Sequence, residues 1–185
     1  MIILASSSPR RKELLKRIIP SFKIIPSDID ETQYSIDQLA YIKGEAIAKE
    51  YPQDLIISAD TYVHYKNLIF NKPLDAVDAK KMLLFLSNKT HSVTTNFAII
   101  CKERNIIYLN SVTSKVTFNN LSEELIDNYI KSKSPLDKAG AYGIQDNDRF
   151  PIIKNYTGSL ENIIGLPIDE IAEELQNLGI KISTK

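Results

Sequence analysis

Asp60 closes the apolar run Leu55-Ile56-Ile57-Ser58-Ala59. A carboxylate at the mouth of a buried strand is partly stripped of water, and such a charge is costly unless it is paired or binds a metal. Its chemistry is that of a metal ligand or general base, with a turn-capping aspartate as the plainer alternative. Further carboxylates, Asp28, Asp30 and Glu31, lie in the loop SDIDETQ. Their oxygens suit Mg²⁺ or Mn²⁺, although a solvated loop would carry them equally well. A third stretch, LASSSPRRKELL at 4–15, puts three serines, a proline, two arginines and Lys12 between an apolar start and a helical pattern. Pro9 fits the first position of a helix and Ser8 its N-cap. The unpaired N–H groups and partial positive charge of a helix start seat anions, and a guanidinium grips phosphate with two prongs. The stretch suits a phosphate chain, against the plainer reading of a capped surface helix with solvated basic residues.

Two lysines extend this set. Lys43 lies within a helical pattern, where lysine normally faces solvent, and Lys72 is held extended by the proline that follows it. Either can neutralise a phosphate. Phosphoanhydride hydrolysis needs these parts: carboxylates that hold a divalent metal, cations that hold the phosphates, and a carboxylate that takes the proton of water. The chain has no P-loop, GxGxxG, HExxH or GxSxG, so Walker-type ATP binding, dinucleotide redox chemistry, zinc hydrolysis and the α/β-hydrolase elbow lose support. His64 and His91 are too few and too far apart for a metal site, and His91 reads as a turn residue. Cys101 is the only cysteine and follows Phe97-Ala98-Ile99-Ile100, so it reads as a small core residue.

These residues need elements to position them. Strands are expected at 2–5, 22–26 and from Leu55 onward, with a strand-turn-strand at 62–70 and two long strands at 92–101 and 106–118. Helices are expected at 9–19, 36–50, 76–86, 122–132 and 167–179. In the 36–50 helix Leu39, Ile42, Ala46 and Ile47 are expected to face inward. Ile180-Lys181-Ile182 reads as a last strand. Helices and strands mix without strict βαβ alternation, which gives an α/β or α+β domain. Four of the six glycines lie between Gly140 and Gly165, and the stretch DKAGAYGIQ is either a tight packed turn or a backbone that lets a ligand come close.

The 185 residues suffice for one domain, 1–185, with its own core. Lysine plus arginine equals aspartate plus glutamate, which argues against a general nucleic-acid or membrane-surface binder. The start fits no signal peptide, and no segment reaches the ~18 apolar residues of a membrane span. A cytoplasmic protein is expected.

The chain resembles the Maf family of nucleoside triphosphate pyrophosphatases, in the Maf/Ham1-like superfamily. The resemblance runs nearly end to end through LASSSPRRKELL (4–15), SDIDE (27–31), SADTYV (58–63), NKPLD (71–75), AVDAKKMLLFLSNKTHSVTT (76–95), DKAGAYGIQ (137–145) and GSLENIIGLPI (158–168). It implies an elongated mixed β-sheet flanked by helices with a central cleft. It also implies cleavage of a nucleoside triphosphate between its α and β phosphates, with Mg²⁺ or Mn²⁺. Asp60 matches the family's proton acceptor. Arg10, Thr61 and Gln145 match positions tied to base specificity, and Glu31, Lys43, Lys72, Ser6 and Ser8 match residues lining the phosphate and metal site, Glu31 and Asp60 as the metal carboxylates. The family is cytoplasmic and often dimeric, so a homodimer is an expected partner.

Pro9-Arg10-Arg11 with Gly143-Ile144-Gln145 resembles the branch acting on dTTP and UTP, with modified pyrimidines also in range. The 7-methyl-GTP branch usually has tryptophan after the proline. A nucleotide-binding regulator of cell division with little turnover is the alternative from a different class. Four positions depart from the family pattern: Asn71, Asn88 and Asp146 stand where it usually has glycine, and Ser134 where it usually has glutamate. The serine removes a carboxylate near DKAG, which points to weaker metal binding or shifted activity.

Overall fold

The computed structural model describes residues 1–183. Strands β1 (Ile2–Leu4), β2 (Lys23–Ile24), β3 (Leu55–Tyr65), β4 (Leu68–Phe70), β5 (Thr90–Cys101), β6 (Ile106–Phe118) and β7 (Ile153–Thr157) form a seven-stranded sheet. Its order is β2-β1-β3-β5-β6-β7, with β4 on β3. β1 pairs in parallel with β2 and β3, while β4 and β7 pair antiparallel with β3 and β6, so the sheet is mixed. The helices are α1 (Pro9–Lys16), α2 (Ile36–Glu50), α3 (Ala76–Leu86), α4 (Glu123–Lys131), α5 (Leu160–Ile164) and α6 (Ile168–Asn177). The α/β class expected from the sequence is the observed one.

The chain forms two compact units. Of the described residues, the first comprises 1–60, 95–112 and those from 165 onward, and the second 61–94 and 113–164. In the first, Ile3 and Ala5 from the β1 segment pack with Ile56 of β3, Ala98 and Ile100 of β5, and Ile47 and Ala48 of α2. The unbroken apolar run at 55–57 is thus a strand buried on both faces, as parallel strands require. The core of the second unit is aromatic-rich: Phe118, Tyr129, Tyr142 and Phe150 pack with Leu83, Leu86, Ile126 and Ile163. His91 belongs to this core rather than to a turn. It lies on β5, 2% exposed, edge-on to Phe118, with Nε2 2.7 Å from the Tyr142 hydroxyl.

Several expected boundaries shift. The first helix stops at Lys16, and the second strand shrinks to Lys23–Ile24, both exposed. Ile180–Ile182 forms no strand: the Ile180 N–H closes the end of α6 on the Leu175 carbonyl, and the Ser183 N–H reaches the Ile18 carbonyl. Two elements carry too weak a pattern to be read beforehand. β7 buries only Ile153, and α5 has five residues. Cys101 is buried and free, as expected of a core residue. Among the described residues no helix is long and apolar enough to cross a membrane.

Candidate active site

The first unit gathers two carboxylates around one ammonium group. Lys43 Nζ lies 2.6 Å from Asp60 Oδ1 and 2.9 Å from Glu31 Oε1. The Lys43 and Asp60 side chains are 11% and 13% exposed, whereas that of Glu31 is 53% exposed. The cluster therefore runs from a desolvated pair to a solvated carboxylate, and Lys43 does not face solvent.

Three local devices hold this arrangement. The first is the buried face of α2, which is Leu39, Ala40, Lys43, Gly44, Ile47 and Ala48. The spacing of three and four residues puts Lys43 on the same stripe as Leu39, Ala40 and Ile47, and leaves Ile42 and Ala46 only half-buried. The second device is Gly44. A Cβ there would stand 2.6 Å from Ser58 Oγ and 3.0 Å from Ile100 Cδ1, so glycine lets α2 lie directly on β3. Ser58 Oγ uses that closeness to donate to the Ala40 carbonyl at 2.6 Å. Asp60 lies two residues further along the same strand. The third device is Asp30, the N-cap of a short 3-10 turn over Glu31–Gln33. Its carboxylate accepts from the Thr32 N–H, the Thr32 hydroxyl and the Gln33 amide at 3.1, 2.6 and 2.9 Å. Those bonds hold its pKa below the usual carboxylate value, the Thr32 and Gln33 side chains contributing most. Asp30 is a scaffold residue that orients the Glu31 turn, and its lone pairs are spent on that turn.

The serine-rich start behaves as its chemistry predicts. Pro9 opens α1 and Ser8 is its N-cap, accepting from the Arg11 N–H. Ser6 is 8% exposed, and its hydroxyl accepts from the Ser8 N–H at 3.3 Å and from Arg11 Nη1 at 3.2 Å. Arg11 Nε donates to the Gly165 carbonyl at 2.8 Å. Close packing pulls the Arg11 pKa down from its ordinary value, Asp60 and Glu31 offset that pull, and Arg10 adds to it. The guanidinium therefore senses the same two carboxylates that Lys43 bridges. Arg11 was not singled out from its neighbours by sequence reasoning, yet the signal existed. Position 11 precedes Leu14 and Leu15, the buried residues of α1, by three and four residues.

Thr61, Lys72 and Gln145 belong to the second unit. Thr61 follows Asp60 on β3, Lys72 is exposed beyond β4, and Gln145 is exposed in a 3-10 turn over Ile144–Asp146. The DKAGAYGIQ stretch is a packed turn. Gly140 has φ +69° with a would-be Cβ 2.9 Å from Val63 Cγ2, a place that only glycine fills without strain. At Gly143 a Cβ would meet Lys138 Cε at 2.7 Å. Two of the positions that depart from the family pattern touch each other here: the Ser134 hydroxyl donates to Asp146 Oδ2 at 2.7 Å. The carboxylate missing at position 134 is thus accompanied by one at position 146, beside Lys138.

The metal-binding pair named from the sequence, Glu31 and Asp60, converges on one point, and among the described residues no group of three or more His, Cys, Asp or Glu side chains is placed to hold a metal.

A family model for Maf-like proteins matches residues 1–178. A dTTP/UTP pyrophosphatase of Acholeplasma laidlawii (strain PG-8A) is 42% identical over 188 residues, covering 97% of this chain and 97% of that protein. A dTTP/UTP pyrophosphatase of Bacillus cereus (strain B4264) is 42% identical over 189 residues, covering 98% of this chain and 97% of its own. With a family model over nearly the whole chain and relatives of this identity along its length, the chain belongs to the Maf family.

Proposed function

We propose that this protein is a nucleoside triphosphate pyrophosphatase acting on dTTP and UTP, releasing the monophosphate and pyrophosphate. The observation that carries the reading is the Glu31–Lys43–Asp60 cluster, with Arg11 and Ser6 in the same unit. The printed names of the full-length relatives support the substrate assignment. Modified pyrimidine nucleotides fall within the same reading.

Asp60 is the proton acceptor. Its Oδ1 is bound to Lys43 at 2.6 Å, which fixes the carboxylate that takes a proton from the attacking water. The Arg11 guanidinium, the Ser6 and Ser8 hydroxyls and the first turn of α1 hold phosphate oxygens, and Lys43 and Lys72 neutralise the charge that develops as the anhydride opens. Arg10, Thr61 and Gln145 select the base.

The residues present fit a divalent metal. Glu31 and Asp60 already share a cation, the Lys43 ammonium, and two carboxylates plus substrate phosphates are a usual donor set for Mg²⁺. When bound, the metal polarises phosphate oxygens and lowers the pKa of water. Glu31, half-exposed on its capped turn, and Asp60 would be the carboxylates that hold such an ion.

Asp60→Asn tests the assignment. It preserves shape and removes the proton acceptor, so turnover of dTTP should fall at least about a hundredfold, the lower range for loss of a general base. Full turnover in this variant would remove Asp60 from the mechanism.

A further inference from the structure

Gln145 is an exposed side chain in a short turn, yet the turn is fastened on both sides by one half-buried polar network. Asp146, the next residue, accepts on Oδ2 from the Tyr129 hydroxyl at 2.7 Å and from the Ser134 hydroxyl at 2.7 Å. Tyr129 is fully buried on α4, and its hydroxyl also accepts from the Gly143 N–H at 2.9 Å. Gly143 stands two residues before Gln145, so one phenol oxygen joins the two flanks of the turn. Burial first, then the bond to Asp146, raises the Tyr129 pKa, which keeps the phenol a donor. Lys138 closes the network: its Nζ donates to Ser134 Oγ at 2.9 Å and to Asp137 at 2.9 Å, and lies 3.9 Å from Asp146 Oδ2. The Lys138 stem covers Gly143, and Gln145 Oε1 is 3.0 Å from where a Gly143 Cβ would stand, so the amide of Gln145 folds back over this clamped backbone.

We propose that Asp146 is a positioning residue for base selection: with Tyr129 and Ser134 it fixes the backbone on both sides of Gln145 and so sets where that amide meets the pyrimidine edge. The inference rests on the proposed role of Gln145 in reading the base. A side-chain amide discriminates uracil or thymine from cytosine because the carbonyl and imino N–H of one edge are replaced by an amino group and a bare nitrogen in the other. That discrimination depends on the amide being held, since a mobile amide can rotate to satisfy either pattern. An anionic acceptor shared by two hydroxyls is a stronger anchor than a neutral one.

The test measures kcat/KM for UTP and for CTP in the wild type and in Gln145→Ala, Asp146→Ala, Asp146→Asn and Tyr129→Phe. Gln145→Ala should reduce the UTP-to-CTP ratio. Asp146→Ala and Tyr129→Phe should reduce it about tenfold, the size expected for one charge-assisted hydrogen bond. Asp146→Asn, which keeps an acceptor but loses the charge, should fall between the wild type and Asp146→Ala. A merely structural role would lower kcat/KM for both nucleotides together and leave the ratio unchanged. If Asp146→Ala does not fold, Asp146→Asn and Ser134→Ala carry the same comparison. A ratio that falls in Gln145→Ala but not in the Asp146, Tyr129 or Ser134 variants overturns the positioning role and leaves the reading of Gln145 standing. A ratio untouched in Gln145→Ala, or absent in the wild type, overturns both.

Discussion

Replacing Lys43 by methionine probes the cluster on which the functional reading stands. Methionine keeps the unbranched apolar stem, so little cavity forms on the buried face of α2 and the lost charge dominates. The wild-type ammonium is 2.6 Å from Asp60 and 2.9 Å from Glu31. Breaking a fully buried ion pair costs about 3–5 kcal/mol because a charge is left unpaired. Asp60 keeps a 13% opening to solvent, which trims that figure, and Glu31, more than half exposed, adds only about 0–1 kcal/mol. The expected loss is about 2–3 kcal/mol, a fall in melting temperature of roughly 4–12 °C for a chain of this size. Urea unfolding of Lys43→Met, Asp60→Asn and the double variant gives the pair term directly as a coupling energy, expected at about 1 kcal/mol or more. Added salt should change it little, since a desolvated pair is poorly screened. A Lys43→Met variant within about 0.5 kcal/mol of wild type, the range of ordinary surface substitutions, together with zero coupling, would refute the claim that the pair is formed and desolvated.

Other consequences follow from the same geometry. Gly44→Ala should cost about 1–3 kcal/mol of overpacking against Ser58 and Ile100 and should lower turnover by displacing the adjacent Lys43, read by urea unfolding and steady-state kinetics. Asp30→Ala should uncap the Glu31 turn and raise the metal concentration needed for half-maximal activity, with little change in global melting. Burial, aided by the charge on His64, pushes His91 from its ordinary value of 6.5 down to about 4. Protons therefore bind the unfolded chain more tightly, so the neutral ring's contribution is intact above pH 6.5 and is lost as pH falls toward 4. The loss approaches about 3 kcal/mol, and the pH dependence of stability in His91→Gln should be flatter than wild type by that amount across the same interval.

Much of this was legible in the residues. The buried strand start at Leu55–Ala59, the Ser8–Pro9 helix start and the Ser122 cap of α4 are local signals, and the structure keeps each, but β3 runs on to Tyr65, so Asp60 lies within the strand and not at its mouth. What failed were inferences about direction. A lysine on a helix reads as solvent-facing, but Lys43 follows the stripe of Leu39, Ala40 and Ile47 because Glu31 and Asp60, distant in sequence, supply the charge that makes its burial tolerable. Arg11 was hidden for the same reason among three adjacent cations. The Ser134 and Asp146 departures read as separate in the sequence, and only the fold shows them to be two ends of one hydrogen bond. β7 escaped because four of its five side chains face solvent and carry no alternation.

The central claim is that the protein cuts between the α and β phosphates of pyrimidine nucleoside triphosphates. The most direct measurement is product identification after incubation with dTTP or UTP and Mg²⁺ or Mn²⁺, with CTP, dCTP, GTP and 7-methyl-GTP alongside. The expected products are dTMP or UMP together with pyrophosphate, with little from the purine nucleotides. Diphosphate and inorganic phosphate, or tight nucleotide binding with no product, would contradict it.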